Sequence, residues 1–145
     1  MREPLVIGWS EFVDLPDWGV RGLRAKVDTG ARTSALHVDR VEERPRGRVR
    51  FEVVLDRQTP GRIRVEARVR RRARVRSSSG HWTTRVFVAT RLELGPLVRD
   101  VEIGLVDREQ MIHRMLLGRS ALAGCLVDPA RRTCLSRPAR SRSPR

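Results

Sequence analysis

Hydrophobic and polar residues alternate over most of the chain, and a period of two predicts strands rather than helices. Leu23, Ala25 and Val27 alternate with Arg24 and Lys26, which turns one apolar face inward and delivers Asp28 to the strand's end. A Thr-Gly turn follows, and Ser34 to Val38 reads as a second short strand. Arg48 to Leu55 and Arg62 to Arg70, joined through the Pro60-Gly61 turn signal, predict a hairpin. Its second arm is the cleanest alternation in the sequence, with Ile63, Val65, Ala67 and Val69, then Ala73 and Val75, facing one way. Arg71 breaks that register, so a bulge or bend is expected there.

Ser77-Ser78-Ser79-Gly80-His81 is small and polar between two strand-like runs, as at a hairpin tip. Val86 to Leu94 resumes strand character until Gly95-Pro96 ends it, and Val98 to Val106 gives another strand. Met115-Leu116-Leu117-Gly118 is a continuous apolar run suited to a strand buried on both faces. Ser120 can cap a brief helix through Leu122 and Ala123 that Gly124 stops, and Leu126-Val127 fits a last short strand. The sum is an all-β domain, closed or sandwiched, over residues 1–136, followed by a disordered Arg/Ser/Pro tail at 137–145.

Composition narrows the function classes. A chain of 145 residues that is 39% hydrophobic builds one core, and the formal charge of +14 invites a polyanionic partner. Yet Lys26 is the only lysine, and Asn and Tyr are absent, a skew that a GC-rich genome also produces. Aromatic residues make up only 4%, which disfavours nucleic acid as a partner, because single strands are gripped by stacking rings. No apolar run is long enough to cross a membrane, and the run before Trp9 is too short for a signal peptide, so the cytoplasm is the expected compartment. Cys125 and Cys134 form no disulfide framework, and neither C-x-x-C nor H-E-x-x-H spacing occurs. Neither a metal nor another cofactor is expected.

The chemistry concentrates in Ala25-Lys26-Val27-Asp28-Thr29-Gly30-Ala31-Arg32-Thr33-Ser34-Ala35-Leu36. An acid at a strand end followed by a hydroxylated residue and a glycine suits a carboxylate dyad: the glycine lets two such loops approach, and the hydroxyl can bond across to pin them. Two carboxylates that close share one proton, so one activates water while the other protonates the carbonyl oxygen. On its own Asp-Thr-Gly is also an ordinary turn sequence. Far downstream, however, stands Met115-Leu116-Leu117-Gly118-Arg119-Ser120-Ala121-Leu122.

In that order the chain resembles the retropepsin-like aspartic proteases. More narrowly, Asp28 to His37, Ser79-Gly80-His81, Asp107-Arg108 to Met111, Leu116-Leu117-Gly118-Arg119 and Leu126-Val127-Asp128-Pro129 resemble a bacterial family labelled "ATP-dependent zinc protease", associated with RimK-type ATP-grasp ligases. The resemblance runs from about Ile7 to Leu135 and implies a closed acid-protease barrel with one short C-terminal helix. Despite the label, no Walker-type phosphate loop occurs.

The same resemblance implies that Asp28 is the catalytic acid, Thr29 the cross-loop hydrogen-bonding residue and Gly30 the close-approach position. Ala31, Arg32, Ser79, Gly80, His81, Leu117 and Gly118 would contact substrate, with the 77–82 segment as a flap. Retroviral enzymes carry an acid where this chain has Arg32, so its salt bridge to the arginine matching Arg119 cannot form in the same way. Since Asp28 begins the one Asp-[Ser/Thr]-Gly, a dyad requires two copies of the chain and hence a homodimer. The expected substrates are peptides or proteins, acidic ones among them, with a functional link to an ATP-grasp ligase. Two alternatives remain open: a catalytically silent β module binding acidic peptides or nucleic acid through the arginine-rich face, and a zinc-dependent peptidase.

Overall fold

The alternating pattern is realised as strands in a computed structural model that describes residues 3–55, 61–76, 79–108 and 110–135. In chain order the strands are β1 (Leu5–Ile7), β2 (Ser10–Leu15), β3 (Val20–Val27), β4 (Ser34–Arg44), β5 (Arg48–Val54), β6 (Arg62–Arg68), β7 (Arg71–Arg76), β8 (Trp82–Leu94), β9 (Leu97–Val106), β10 (Met115–Leu117) and β11 (Cys125–Val127). Pairing runs β10-β3-β2-β8-β9-β4, and β4 pairs β10 again, so six strands close into a barrel. Closure removes free edges from that ring. The fold is thus the expected all-β closed barrel.

The core fills the barrel from alternate positions: Leu23 and Ala25 of β3, Leu36 of β4, Ile103 of β9 and Met115 and Leu117 of β10 are all inaccessible to solvent or nearly so. Strand β4 serves two sheets. Its first residues pair with β9 and β10, and from Val38 onward it pairs with β5, across an irregularity between Asp39 and Glu42 where Arg40 has φ 54°. The expected hairpin is β5–β6, in register from Arg48↔Arg68 to Val54↔Arg62. The bend expected near Arg71 is a change of partner: β6 ends at Arg68, Arg70 N–H bonds the Phe87 carbonyl at 2.7 Å, and β7 continues along β8.

One element differs from expectation. The segment expected as a short C-terminal helix is instead a run of tight turns, in which Ala121 N–H bonds Gly118 O, Leu122 N–H bonds Arg119 O and Cys125 N–H bonds Leu122 O. Gly118 and Gly124 leave too few residues between them for i→i−4 bonding to propagate. The described helix is a 3₁₀ turn at Pro16–Trp18, ended by Gly19 at φ 70°. The expected tail at 137–145 lies outside the described residues. No described helix is long and apolar enough to cross a membrane.

Residues 131–135 form a strap across β1 and β2 that no alternation announces. Trp9 and Ser10 donate their N–H groups to the carbonyls of Arg131 and Arg132, and fully buried Glu11 clips the strap down. Its Oε2 accepts the N–H groups of Gly8 and Cys134, both at 2.7 Å, and that of Leu135 at 3.3 Å. Glu11→Ala should orphan these donors. Because the strap can peel away and hydrate them, the expected loss is about 2 kcal/mol by denaturant unfolding, with faster proteolysis at the C-terminus.

Candidate active site at the end of the barrel

Asp28 leaves β3 where β3 lies parallel to β10, and its N–H bonds the Leu117 carbonyl at 2.9 Å. The loop it begins is sewn to the chain after β10: Arg119 N–H bonds Ala31 O at 2.8 Å, Ser120 N–H bonds Arg32 O at 3.0 Å, and Gly118 N–H bonds the Ser34 hydroxyl at 3.1 Å. The Arg119 guanidinium donates to the Thr29 carbonyl at 2.9 Å. Where an acid at position 32 would have drawn this arginine into a salt bridge, the loop's own backbone oxygen now holds it. Gly30 N–H returns to Asp28 Oδ1 at 3.1 Å, and a methyl group at Gly30 would lie 3.3 Å from that oxygen.

These contacts hold the Asp28 carboxyl half-buried in a cleft of about 210 Å³ lined by Ala31, Thr33, Ala35, Arg85, Val106, Arg108 and Leu116. Ala31 is therefore beside Asp28, as expected. Thr29, Gly30 and Arg32 are exposed on the loop's rim. Leu117 is fully buried, so its side chain belongs to the core while its carbonyl seats Asp28. Leu116, one residue earlier, faces the cleft. Ser79, Gly80 and His81 sit at the β7–β8 tip, where the Ser79 hydroxyl and His81 Nδ1 are 3.0 Å apart.

Two basic residues line the cleft to which sequence assigned no site role: Arg85, one arginine among many, and Arg108, named only within the Asp107-Arg108 to Met111 run. Arg85, on β8, crosses β9 at Gly104, where a Cβ would come within 2.7 Å of the Arg85 side chain and 3.0 Å of the Phe87 ring. Arg108 is set by buried His37, whose Nδ1 accepts the Arg108 N–H at 2.9 Å. Neither guanidinium makes an ion pair among the described residues. Burial, then the charge of Arg108, lowers the Arg85 pKa. A larger hollow of about 430 Å³ under the β7–β8 hairpin shares Arg85, Val106 and Arg108 with the cleft and adds Val75 and Thr83.

The label of the resembling family promises zinc, and His37, Asp39 and Asp107 do lie together. They do not fit a cation. A backbone N–H can only donate, so His37 Nδ1 holds a lone pair and the ring proton sits on Nε2, 3.5 Å from Asp39 Oδ1. Binding a metal through Nε2 would require an imidazolate. Asp39 is also committed to Arg62, whose hydrogen bond holds its carboxyl below the usual range.

The chain is similar to several known proteins. The chain is 37% identical over 137 residues to a probable alpha-L-glutamate ligase of Shewanella pealeana, covering 90% of this chain and 30% of that protein. Proteins so named from Desulfotalea psychrophila and Parasynechococcus marenigrum are 36% and 37% identical, covering 86% and 89% of this chain and 28% and 29% of theirs. The chain thus spans under a third of these relatives. A Legionella pneumophila protein of unknown function has the same fold, with TM-score 0.74 and 27% identity over 89% of this chain and 96% of that one. Residues 6–138 match the RimB-like family, described as retropepsin-like aspartic endopeptidase RimB, and the chain belongs to that family.

Proposed function

We propose that this protein is an aspartic peptidase that cuts peptide or isopeptide bonds in acidic chains, as a homodimer whose two Asp28 carboxyls share one water. The observation that supports the reading is that Asp28 shares one cleft with two guanidiniums, Arg85 and Arg108, that make no ion pair among the described residues. In the dimer the ionised Asp28 removes a proton from the water as it attacks the carbonyl carbon, while the protonated Asp28 gives its proton to the carbonyl oxygen. As the tetrahedral intermediate collapses, a proton passes to the leaving amine, and no covalent enzyme intermediate forms. Arg85 and Arg108 hold a substrate carboxylate next to the cleaved bond by charge-assisted hydrogen bonds. The Ser79–His81 tip closes from above and excludes water.

The relatives' name supplies the setting. A ligase that adds glutamate makes the kind of chain this cleft suits, so a hydrolase allied to it would remove such residues. The test is to incubate the protein with oligoglutamate and oligoglutamine peptides and read cleavage by mass. Glutamate chains should be cut and glutamine chains spared, and Arg85→Gln or Arg108→Gln should cost about ten- to a hundredfold in kcat/KM toward glutamate chains. Binding of acidic chains without cleavage at any concentration would sink the peptidase reading in favour of a silent binding module.

A further inference from the structure

Register partners in neighbouring strands point to the same face of a sheet, and one row can be followed through the Asp28 region: Phe87, Gly104, Ala35, Leu116, Lys26, Ser10. Ala35 and Leu116 line the Asp28 cleft, and Arg85 overlies Gly104. The other end of the row is also basic. Lys26 is exposed one strand beyond Leu116, and Arg24 stands two residues before it on the same face. The Arg24 guanidinium donates to the Ser10 hydroxyl at 3.0 Å, and that hydroxyl lies 2.9 Å from Nε2 of His113. Arg132, on the strap, covers Trp9, whose ring is 6.2 Å from the His113 ring.

The Ser10 hydroxyl accepts a hydrogen bond from Arg24, which can only donate, and lies within hydrogen-bond distance of His113 Nε2. Burial first, and then the charges of Arg24, Lys26 and Arg132, depress the His113 pKa. Lys26, His113 and Arg132 have no carboxylate partner among the described residues. Such mutually repelling groups are relieved by an anion.

We infer that Lys26, Arg24, His113 and Arg132 form a second anion site, on the opposite flank of Asp28 from Arg85, that receives the carboxylates of an acidic peptide a few residues away from the cleaved bond. The inference rests on the acidic-peptide reading above and extends it. Adjacent strands lie about 4.8 Å apart and an extended peptide advances about 3.3 Å per residue, so a chain leaving the cleft along the row meets Lys26 and then His113 within about two to four residues. A nucleic acid strand would need open ring faces for its bases. The rings here are Phe12 and Trp9, and Arg24 and Arg132 already cover them at 4.3 and 5.9 Å.

The test uses the full chain carrying Asp28→Asn, so that binding is read without turnover. An oligoglutamate of about eight residues should bind at least about tenfold more weakly to Lys26→Gln and to Arg132→Gln, whereas diglutamate binding should be unchanged. Lys26→Arg should restore it. By NMR the long peptide should raise the His113 pKa and the dipeptide should not. Equal losses for both lengths, no loss for either, or an unmoved His113 would overturn the inference. So would a single-stranded oligonucleotide that competes with the long peptide and shifts His113 more strongly. Loss of cleavage in the otherwise unaltered protein would instead count against the peptidase reading, since the binding arm does not depend on it.

Discussion

Asp28→Asn is expected to reduce peptide cleavage by about 10⁴-fold, because the substitution removes the base and the acid together when both come from the same position in two subunits. The fold should survive. The amide oxygen of asparagine can still accept the Gly30 N–H that Asp28 Oδ1 accepts now, and the Leu117 carbonyl still receives the backbone N–H of residue 28. Denaturant midpoints within about 0.5 kcal/mol of the parent would confirm that only chemistry was lost. Mixing makes the test sharper. If equal amounts of parent and variant chains are unfolded together and refolded, random pairing leaves about one quarter of dimers with two aspartates. Activity near one quarter of the unmixed parent's supports the shared dyad, whereas activity near one half means each subunit works alone.

The parts of this site that sequence exposes are those whose partners are local or whose residue types are restrictive. Asp28-Thr29-Gly30-Ala31 and Leu116-Leu117-Gly118-Arg119 are two short strings, and their meeting needs only the register in which Leu117 pairs with Val27. Arg85 is different. It is one arginine among many on alternating strands, and what singles it out is a glycine on the neighbouring strand. The available clue was Gly104 itself, a residue without a side chain between Ile103 and Leu105 in an otherwise apolar strand, where glycine marks close approach. Arg108 depends on His37, which lies 71 positions away in sequence.

The same distinction divides the fold. Period-two patterning located the strands, because each buries one face in a common core. It placed the start of β8 at Val86, but the strand begins at Trp82, where both faces of the β7–β8 hairpin are largely exposed and alternation carries no core signal. The strap at 131–135 is held by backbone hydrogen bonds and Glu11, with Leu135 its one side chain packed on the core and no alternating apolar face. Nothing in its hydropathy could announce it. The expected helix after Ser120 failed for a third reason: capping residues were present, but the run between Gly118 and Gly124 is too short to propagate it, and its Ala121 and Leu122 are buried in the core from a chain of tight turns.

Gly118→Ala should be the most damaging single methyl group in the molecule's functional end. A Cβ there would lie 2.4 Å from the Thr33 carbonyl oxygen and 2.5 Å from its carbon. Those atoms are backbone, so no rotamer change relieves the clash. Thr33 must retreat, yet it is bounded on one side by Arg32, whose carbonyl takes the Ser120 N–H, and on the other by Ser34, whose hydroxyl takes the Gly118 N–H. Moving it strains the hydrogen bonds that fix the Asp28 loop. The expected cost is about 3 kcal/mol in unfolding free energy, at the upper end for inserting a methyl into packed structure. Activity should fall further than stability alone requires, because in the proposed dyad an acid displaced by about 1 Å would no longer meet its twin across a shared water. The decisive comparison is with Gly124→Ala, which directly precedes β11 as Gly118 directly follows β10, but with open space around its Cβ and φ 83°. That variant should lose about 1 kcal/mol through left-handed strain and keep its turnover. If both variants lost activity in proportion to stability, the packing of Gly118 on Thr33 would have no special part in holding Asp28.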